Sequence, residues 1–271
     1  YQDCYASLNA GKTLGIGNYD SANIIHSNGK FYLLVGTSTS NRDHFYIVDA
    51  KTLYYENSAV VGANLSGLTI LNEQYGLVTG DGIRRIDLKS LNNVRIKNER
   101  LLCFYNSIIY NGKVLSNDTY KDESKVKYYD VNELIAAKEG EAPAVTELDI
   151  IQKQKINFVL AKDGNVYTLE SADNGCNIVK IKNDFTLEKV FANFQPAKGP
   201  YHSSPTIGMV ASETENIIYL VSTDGAIYKY ILGDSDSLKA PFIAAESGVS
   251  ITAPLQLNQQ SGELYVSYTE E

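Results

Sequence analysis

The sequence predicts an all-β protein that forms one closed six-bladed β-propeller with four strands in each blade. Three observations predict it: a strand-and-turn pattern occurs six times, short strands flank each copy, and the two ends of the chain carry complementary parts of one unit. Seven blades is the alternative count. We expect residues 1–271 to form a single domain.

The repeated pattern is a β-type segment that leads into a polar turn, and the turn ends in Thr or Ser followed by Leu. The two most similar copies are Phe45 to Leu53 and Ile83 to Leu91. An Asp in each turn can accept hydrogen bonds from the backbone two residues ahead, and we expect the Leu to start the next strand on its buried side. Looser copies end at Leu134, at Leu187, at Leu238 after Asp236 and Ser237, and at Leu14, where Asn9 replaces Asp.

A second marker, a short turn, precedes most copies and predicts a hairpin. Asn28-Gly29 and Asn111-Gly112 are the pairs that two-residue hairpin turns favour. A short apolar run, such as Gly67 to Leu71, comes before each hairpin and is typical of a strand buried on both faces. Each unit therefore contains an inner, a second, a third and an outer strand, as a propeller blade does.

The two ends of the chain hold parts of the same blade. The last unit stops after its second strand, Leu264 to Tyr268, whereas the first residues supply a third and a fourth strand. We therefore predict that residues 249–271 and residues 1–17 together form blade six, which removes open sheet edges. Val131 to Gly140 departs from the strand pattern and predicts a helical turn inserted at the rim of a blade.

Charge and cysteine usage exclude several classes of function. A net charge of −8 without a basic stripe argues against nucleic acid as a partner. The chain lacks an apolar run long enough to span a bilayer.

Cys4, Cys103 and Cys176 are too far apart in sequence for a zinc knuckle, and we expect them to act as small buried apolar side chains. Position 1 is not Met, which favours a removed leader; a lipid anchor outside the given chain fits the same expectation.

These motifs resemble a known group of proteins. The segments Phe45 to Leu53 and Ile83 to Leu91 resemble the repeats of YVTN-type β-propellers, and Ala240 to Val266 looks like the closing blade of surface-layer-like propellers and lipoproteins of Bacteroidetes. The resemblance implies a location outside the cytoplasm, at the cell surface, in the periplasm or secreted. It brings no catalytic residue with it.

Propellers carry their function in the loops over one mouth of the channel, so the candidate binding residues are those of the corresponding loops in this sequence. Tyr and Asn recur in these loops, and rings beside amides can stack on and hydrogen-bond a glycan or a peptide. Packing of loops against one another is the alternative role. The predicted ligand-binding residues are Asn18, Tyr19, Tyr105, Asn106, Tyr201 and His202.

Acid-base and metal chemistry have few candidates in this sequence. His202 is the candidate general base, whereas we expect His26 to be structural and His44 to lie at a solvated rim. Acids in loops between second and third strands could hold calcium, although such residues usually cap turns. These acids are Asp43, Asp81, Asp118, Asp122, Asp173 and Asp224. We expect no other cofactor.

The sequence therefore favours a noncatalytic, envelope-associated or secreted binding module whose partner is a glycan, a peptide or a protein at the channel mouth. The alternative is a hydrolase or lactonase-like enzyme that uses mouth carboxylates and His202, with calcium as a possible cofactor. A purely structural surface protein is the third interpretation.

Overall fold

The computed structural model describes residues 19–37, 43–62, 67–80, 82–97, 107–117, 124–141, 143–152, 158–196, 209–251 and 255–270. The chain divides into two compact units. Unit one consists of Tyr1–Tyr120 with Tyr128–Thr146, and unit two of Lys121–Lys127 with Glu147–Glu271.

Four antiparallel sheets follow one another along the chain, and each pairs its four strands in sequence order. Sheet one contains β1 Tyr19–Ser27, β2 Lys30–Thr37, β3 Asp43–Asp49 and β4 Tyr55–Gly62. Sheet two contains β5 Gly67–Ile70, β6 Tyr75–Thr79, β7 Ile83–Asp87 and β8 Asn93–Lys97. Sheet three contains β9 Ile108–Tyr110, β10 Lys113–Asn117, β11 Ser124–Asp130 and β12 Val145–Gln152. Sheet four contains β13 Val159–Leu160, β14 Val166–Ala172, β15 Gly175–Ile181 and β16 Leu187–Phe194.

The remaining strands of unit two are shorter. Sheet five pairs β17 Val210–Ala211, β18 Ile217–Val221 and β19 Ile227–Ile231. After it come β20 Val249–Ile251, β21 Gln256–Leu257, β22 Leu264–Tyr265 and β23 Tyr268–Glu270, and they pair as β20 with β23 and β21 with β22.

The predicted four-stranded pattern is confirmed in sheets one to four and is wrong for sheet five. There the fourth strand is reduced to a bridge between Ile227 and Ile243. Pro241, which cannot donate a backbone hydrogen bond, precedes this bridge. A 3₁₀ turn, Ser235–Leu238, replaces the tight turn, and its capping acceptor is the side chain of Asp234 rather than the predicted Asp236.

Two predicted hairpins have the expected Asn-Gly turn. Asn28 and Gly29 have φ angles of 50° and 70°, and Asn111 and Gly112 have φ angles of 47° and 72°. Positive φ at both central positions is the type I′ geometry, whose twist matches that of the flanking strands. The strands accordingly pair up to the turn, Ser27 with Lys30 and Tyr110 with Lys113.

The turns after the third strands confirm the predicted role of Asp. Asp49 Oδ1 accepts hydrogen bonds from the amides of Lys51 (3.1 Å) and Thr52 (2.7 Å) and from the Thr52 hydroxyl (2.7 Å). Asp87 Oδ1 holds Lys89 and Ser90 in the same way, at 3.0 Å and 2.7 Å from their amides. This carboxylate satisfies backbone donors that the turn would otherwise leave without a partner.

The prediction for the turn leucines is wrong in two copies. Leu53 and Leu91 have φ angles of 58° and 60° and close the turn, each donating its N–H to the carbonyl oxygen of the Asp four residues earlier. A left-handed residue ends a helical turn in this way. The next strands begin two residues later, at Tyr55 and Asn93, and only Leu91 of the two leucines is buried.

The core of unit one forms between successive sheets. One cluster contains Phe45 and Ile47 of sheet one with Val78 and Ile86 of sheet two. The next cluster takes the alternate residues of sheet two, Leu77, Ile83 and Ile96, and packs them with Val114, Tyr129 and Leu134. Because side chains alternate along a strand, sheet two buries apolar residues on both of its faces. The first strands β1 and β5 also approach each other.

Unit two repeats this arrangement. Leu169 and Ile178 of sheet four pack against Ile218 and Leu220 of sheet five. The alternate residues of β18, which are Ile217, Tyr219 and Val221, pack with Ile227 and Leu255 on the other face. The first strands β13, β17 and β21 are successive neighbours. Each unit therefore contains sheets stacked face to face in sequence order.

A short helix interrupts sheet three where the sequence predicts one. Helix α1, Val131–Ala136, begins at Asp130, whose side chain accepts hydrogen bonds from the amides of Asn132 (2.8 Å) and Glu133 (3.1 Å). At its other end, Arg85 Nη1 donates to the carbonyl oxygens of Ile135 and Ala137, and its guanidinium lies 5.2 Å from the centre of the Tyr75 ring. The residues of the last turn carry no basic side chain, so Arg85 of β7 serves as the cap.

Removal of the Asp87 carboxylate tests how much this turn contributes to the free energy of unfolding. We expect Asp87→Ala to lower the free energy of unfolding by about 1 kcal/mol, because the amides of Lys89 and Ser90 lose their acceptor. Lys89→Ala is the matched control, since its exposed side chain has no role in the turn. Urea unfolding of both variants measures the difference, and equal stability of the two would contradict the assignment.

The same turns predict how stability depends on pH. Hydrogen bonds from the turn hold the pKa of Asp49, Asp87 and Asp184 below the usual value for aspartate, and the ion pair with Lys113 does so for Asp130. A carboxyl group with a lowered folded-state pKa stabilises the fold above its unfolded pKa of about 3.9, and this contribution is lost as the pH falls through the folded pKa. We therefore expect the melting temperature to decrease as the pH is lowered below about 4. In thermal melts over this pH range, the decrease should be less steep for Asp87→Asn than for the unchanged protein.

Candidate functional site

The strands define two ends of each sheet. At the loop end, second strands join third strands and the chain crosses to the next sheet; the turn end carries the Asn-Gly and Asp turns. Of the predicted ligand-binding residues, Tyr19 opens β1 at the loop end, where its backbone pairs with Thr37. Asn18, Tyr105, Asn106, Tyr201 and His202 lie outside the described residues. Their assignment to one mouth stays a prediction.

The acids at the loop end differ in their surroundings. Asp43, the first residue of β3, is 1% exposed. Asp224 caps a turn: its side chain accepts hydrogen bonds from the Ser222 hydroxyl and from the Ala226 amide (3.1 Å), which together lower its pKa. Asp173 is exposed, and Asp81, Asp118 and Asp122 lie outside the described residues. In the described ranges, no three His, Cys, Asp or Glu side chains are arranged to hold a metal ion.

The two described histidines lie on sheet one. His26 is exposed at the turn end and lies against the Phe31 ring, 5.2 Å between centroids. His44 is half-buried near the loop end and stacks on Tyr46, 5.8 Å between centroids with an interplanar angle of 17°. Both rings therefore take part in packing on sheet one, and the predicted solvated rim position of His44 is only partly correct.

Polar side chains are buried at the loop end of unit one. Asp43, Thr79 and Asn117 stand at the first or last position of a strand, and each is at most 2% exposed. Each of the three takes part in a polar or electrostatic interaction. A buried polar group is costly unless it is hydrogen-bonded, so burial of these three side chains depends on such interactions.

Unit two also buries a polar side chain at a strand end, and the structure shows its hydrogen bonds. Gln152, the last residue of β12, is 1% exposed, and its Nε2 donates to Thr168 Oγ1 and to the Leu169 carbonyl oxygen, both at 2.9 Å. Asn177 Nδ2 donates to Glu170 Oε2 at 2.8 Å on the neighbouring strands. The bonds of Gln152 connect the loop end of β12 to the middle of β14, and the bond of Asn177 connects β14 to β15.

The turn end of sheet four carries a shallow surface depression that the sequence analysis missed. Its lining residues are Asn165, Lys180, Lys182, Asn183 and Asp184. Lys180 lies near the end of β15 and Lys182 directly follows this strand, and their spacing of two residues was the available signal. Lys180 pairs with Asp163 and Lys182 with Glu188, each at 2.9 Å. Because both ammonium groups already have carboxylate partners, the depression is polar without being an anion site.

Asp163 organises the side of this depression. Its Oδ2 accepts hydrogen bonds from the Tyr167 hydroxyl (2.9 Å) and contacts Lys180 Nζ (2.9 Å). Burial acts to raise the pKa of Asp163, but the bonds from Lys180, Asn165 and Tyr167 outweigh it and hold the pKa below the usual value. Burial and then the Asp163 hydrogen bond raise the pKa of Tyr167, which therefore stays protonated. The cluster is a fixed structural element of sheet four.

Cys176 confirms the expectation of a buried apolar cysteine. It lies in the cluster between sheets four and five, 7% exposed, as a free thiol. Burial raises the pKa of this thiol to about 11. Cys4 and Cys103 lie outside the described residues.

Replacing the buried amide should destabilise the loop end. We expect Gln152→Ala to lower the free energy of unfolding by about 2 kcal/mol, because a cavity forms and the Leu169 carbonyl loses a donor. Glu147→Ala on the exposed part of the same strand is the control, with a change below about 0.5 kcal/mol. Chemical unfolding measures both, and a Gln152 variant as stable as the control would contradict this role.

Thiol labelling tests the burial of Cys176. In a Cys4→Ser, Cys103→Ser background we expect iodoacetamide at pH 8 to leave Cys176 unmodified for hours, since a buried thiol with a raised pKa supplies almost no thiolate. In denaturant the same residue should react fully, as mass spectrometry would show. Rapid native labelling would mean that sheets four and five open readily.

Solved structures with a similar fold include propellers. BamB from Moraxella catarrhalis superimposes with a TM-score of 0.51 at 12% identity, covering 90% of this chain and 65% of that chain. The RRP9 WD40 repeats give 0.50 at 10% identity, covering 87% and 68%. A streptogramin B lyase gives 0.49 at 16% identity, covering 83% and 73%. WD40 repeats are propeller blades. The likenesses to BamB and to the RRP9 repeats support a propeller-like all-β fold, and at these identities they give no information on function.

The sequence comparisons give a family without an activity. No curated protein matches the sequence significantly. The resemblance to YVTN-type repeats and to Bacteroidetes surface-layer proteins stays a prediction. Within the described ranges, no helix has the length and apolar character of a membrane span. A family described as a domain of unknown function, DUF5074, matches residues 1–271, and the chain belongs to this family.

Proposed function

We propose that this chain is a noncatalytic binding module that holds a glycan or an extended peptide at the loop end of its sheets. The burial of polar side chains at that end carries the proposal. Asp43, Thr79 and Asn117 in unit one and Gln152 in unit two are each at most 2% exposed, and each stands at the strand end where a loop-end connection begins or ends. A rigid scaffold that fixes its loops lowers the entropy cost of binding.

The Tyr and Asn residues of the connections at the loop end determine the proposed class of ligand. Tyr19, Tyr105 and Tyr201 supply aromatic faces, and Asn18 and Asn106 supply amides that both donate and accept hydrogen bonds. Sugars and peptide backbones present apolar faces beside paired donors and acceptors, which is the complement of this set. A net charge of −8 favours neutral or basic ligands over anionic ones.

The proposal places the module outside the cytoplasm, on the cell surface, in the periplasm or in the medium. Support comes from the likeness of its repeats to those of surface-layer-like propellers. Because the proposed ligand is a glycan or an extended peptide, both are included as probes.

Thermal shift with the native protein tests the proposal. Neutral oligosaccharides, synthetic extended peptides and calcium chloride are the probes. A ligand at about one hundred times its Kd adds about 2.7 kcal/mol to the stability of the folded state and should raise the melting temperature by roughly 5 °C. Failure of every oligosaccharide and peptide to shift the melting temperature would overturn the proposal.

Substitutions assign the binding to the loop end. We expect Tyr105→Ala and Tyr201→Ala to weaken the Kd for the active probe at least about tenfold, as loss of a central aromatic contact does. The matched control is Tyr54→Ala at the turn end, where the tyrosine is 62% exposed. Equal weakening by the control would contradict the location. If the protein cleaves the probe and His202→Ala abolishes this cleavage, the chain is an enzyme instead.

A further inference from the structure

Hydroxyl side chains of sheet two point into the space between sheets two and three of unit one. Leu77 belongs to the apolar cluster that these two sheets share, and Thr79, two residues farther along β6, points to the same side. Thr69 of β5 also points there, because its neighbours Leu68 and Ile70 pack in the cluster with sheet one. Thr69 is 5% and Thr79 is 1% exposed.

Sheet three contributes two serines from the opposite side of this space. Ser116 of β10 is two residues from Val114, and Val114 belongs to the shared cluster. Ser107 is likewise two residues from Ile109, which packs against that cluster. Val114 pairs with Ile109 in the register of β9 and β10, and continuation of this register places Ser116 opposite Ser107. The β-carbons of such opposite residues lie about 4.5 to 5.5 Å apart.

The hydroxyls of the two sheets meet each other. Thr69 Oγ1 and Ser107 Oγ are hydrogen-bonded, which connects β5 of sheet two to the residue that precedes β9 of sheet three. Because Ser107 is also the cross-strand neighbour of Ser116, the hydroxyl of Ser116 lies close to this bond. The space between the two sheets therefore changes from apolar at Leu77 and Val114 to polar at the hydroxyls.

The hydroxyl of Ser116 is buried without a protein partner. Ser116 is 1% exposed, so bulk water does not reach its side chain. Within the described part of the chain, no group is hydrogen-bonded to Ser116 Oγ. A buried hydroxyl in this state costs free energy, and proteins satisfy nearly all such groups with a protein group or an ordered water.

A buried threonine of unit two shows the other solution to the same problem. Thr168 is 0% exposed, and its hydroxyl oxygen accepts a hydrogen bond from Gln152 Nε2 at 2.9 Å. A long amide side chain therefore satisfies the buried hydroxyl of Thr168. Ser116 has no such side chain beside it among the described residues.

We propose that Ser116, Ser107 and Thr69 bind one internal water molecule between sheets two and three. An internal water needs two to four polar partners. The Ser116 hydroxyl supplies a donor and acceptor positions, and a hydroxyl oxygen can accept two hydrogen bonds, so Ser107 and Thr69 keep acceptor positions beside their mutual bond. Neutral hydroxyls supply no negative charge, which favours water over a metal ion at this site.

A crystal structure that resolves ordered waters tests the proposal on the unchanged protein. We expect a density peak about 2.7 to 3.2 Å from Ser116 Oγ and from at least one of the other two hydroxyl oxygens. A well-ordered Ser116 without such a peak would overturn the proposal. A peak at metal-oxygen distances of about 2.3 to 2.6 Å would overturn it too, because it would assign the site to a cation.

The sign of a stability change gives a second test. A water-bound hydroxyl contributes a hydrogen bond, so Ser116→Ala should lower the melting temperature by roughly 2 to 4 °C. Removal of an unsatisfied hydroxyl would instead leave the melting temperature unchanged or raise it, and either result would contradict the proposal. Ser250→Ala is the matched control on the exposed strand β20, with an expected change of about 1 °C or less. Neither test uses a glycan or a peptide, so both outcomes are independent of the proposed function.

Discussion

Burial of both faces of the inner sheets is the constraint on which the rest of the fold depends. In β6, Leu77 and Val78 are neighbours in sequence, yet they belong to different clusters, and Ile217 and Ile218 of β18 behave in the same way. A sheet with two apolar faces cannot present either face to water, so it needs a neighbour on each side. Successive sheets meet this need for one another within each unit, and a sheet with only one neighbour leaves apolar surface exposed.

The Asp turn works on a smaller scale than the core but sets the spacing of the strands. By binding two backbone amides and one side-chain hydroxyl, one carboxylate holds the turn that brings the outer strand back along the third strand. The left-handed leucines show that this geometry is retained at some conformational cost, since a non-glycine residue rarely adopts positive φ. Where the sequence departs from this turn, at Asp234, the fourth strand shrinks to a single bridge.

Much of the local fold could be predicted from the sequence because it depends on short-range chemistry. Asn28-Gly29, the Asp49 and Asp87 turns, and the helix after Asp130 all encode their conformation within a few residues. The shortened sheet five could not be predicted in this way, since Asp234 and Asp236 both fit the turn pattern; in the structure Asp234 caps the turn, and Leu238 at its end is buried in the cluster between sheets four and five. The buried amide of Gln152 was missed for a similar reason: its partners, Thr168 and Leu169, lie on another strand.

The helix inserted into sheet three depends on a residue far away in sequence. Six residues are too few for a stable helix in water, and the carbonyl groups at the end of α1 are capped by Arg85 of β7. The insertion therefore has no stable conformation of its own before β7 is in place. The stability of α1 therefore depends on the presence of sheet two, so loss of the helix would report on loss of packing in unit one.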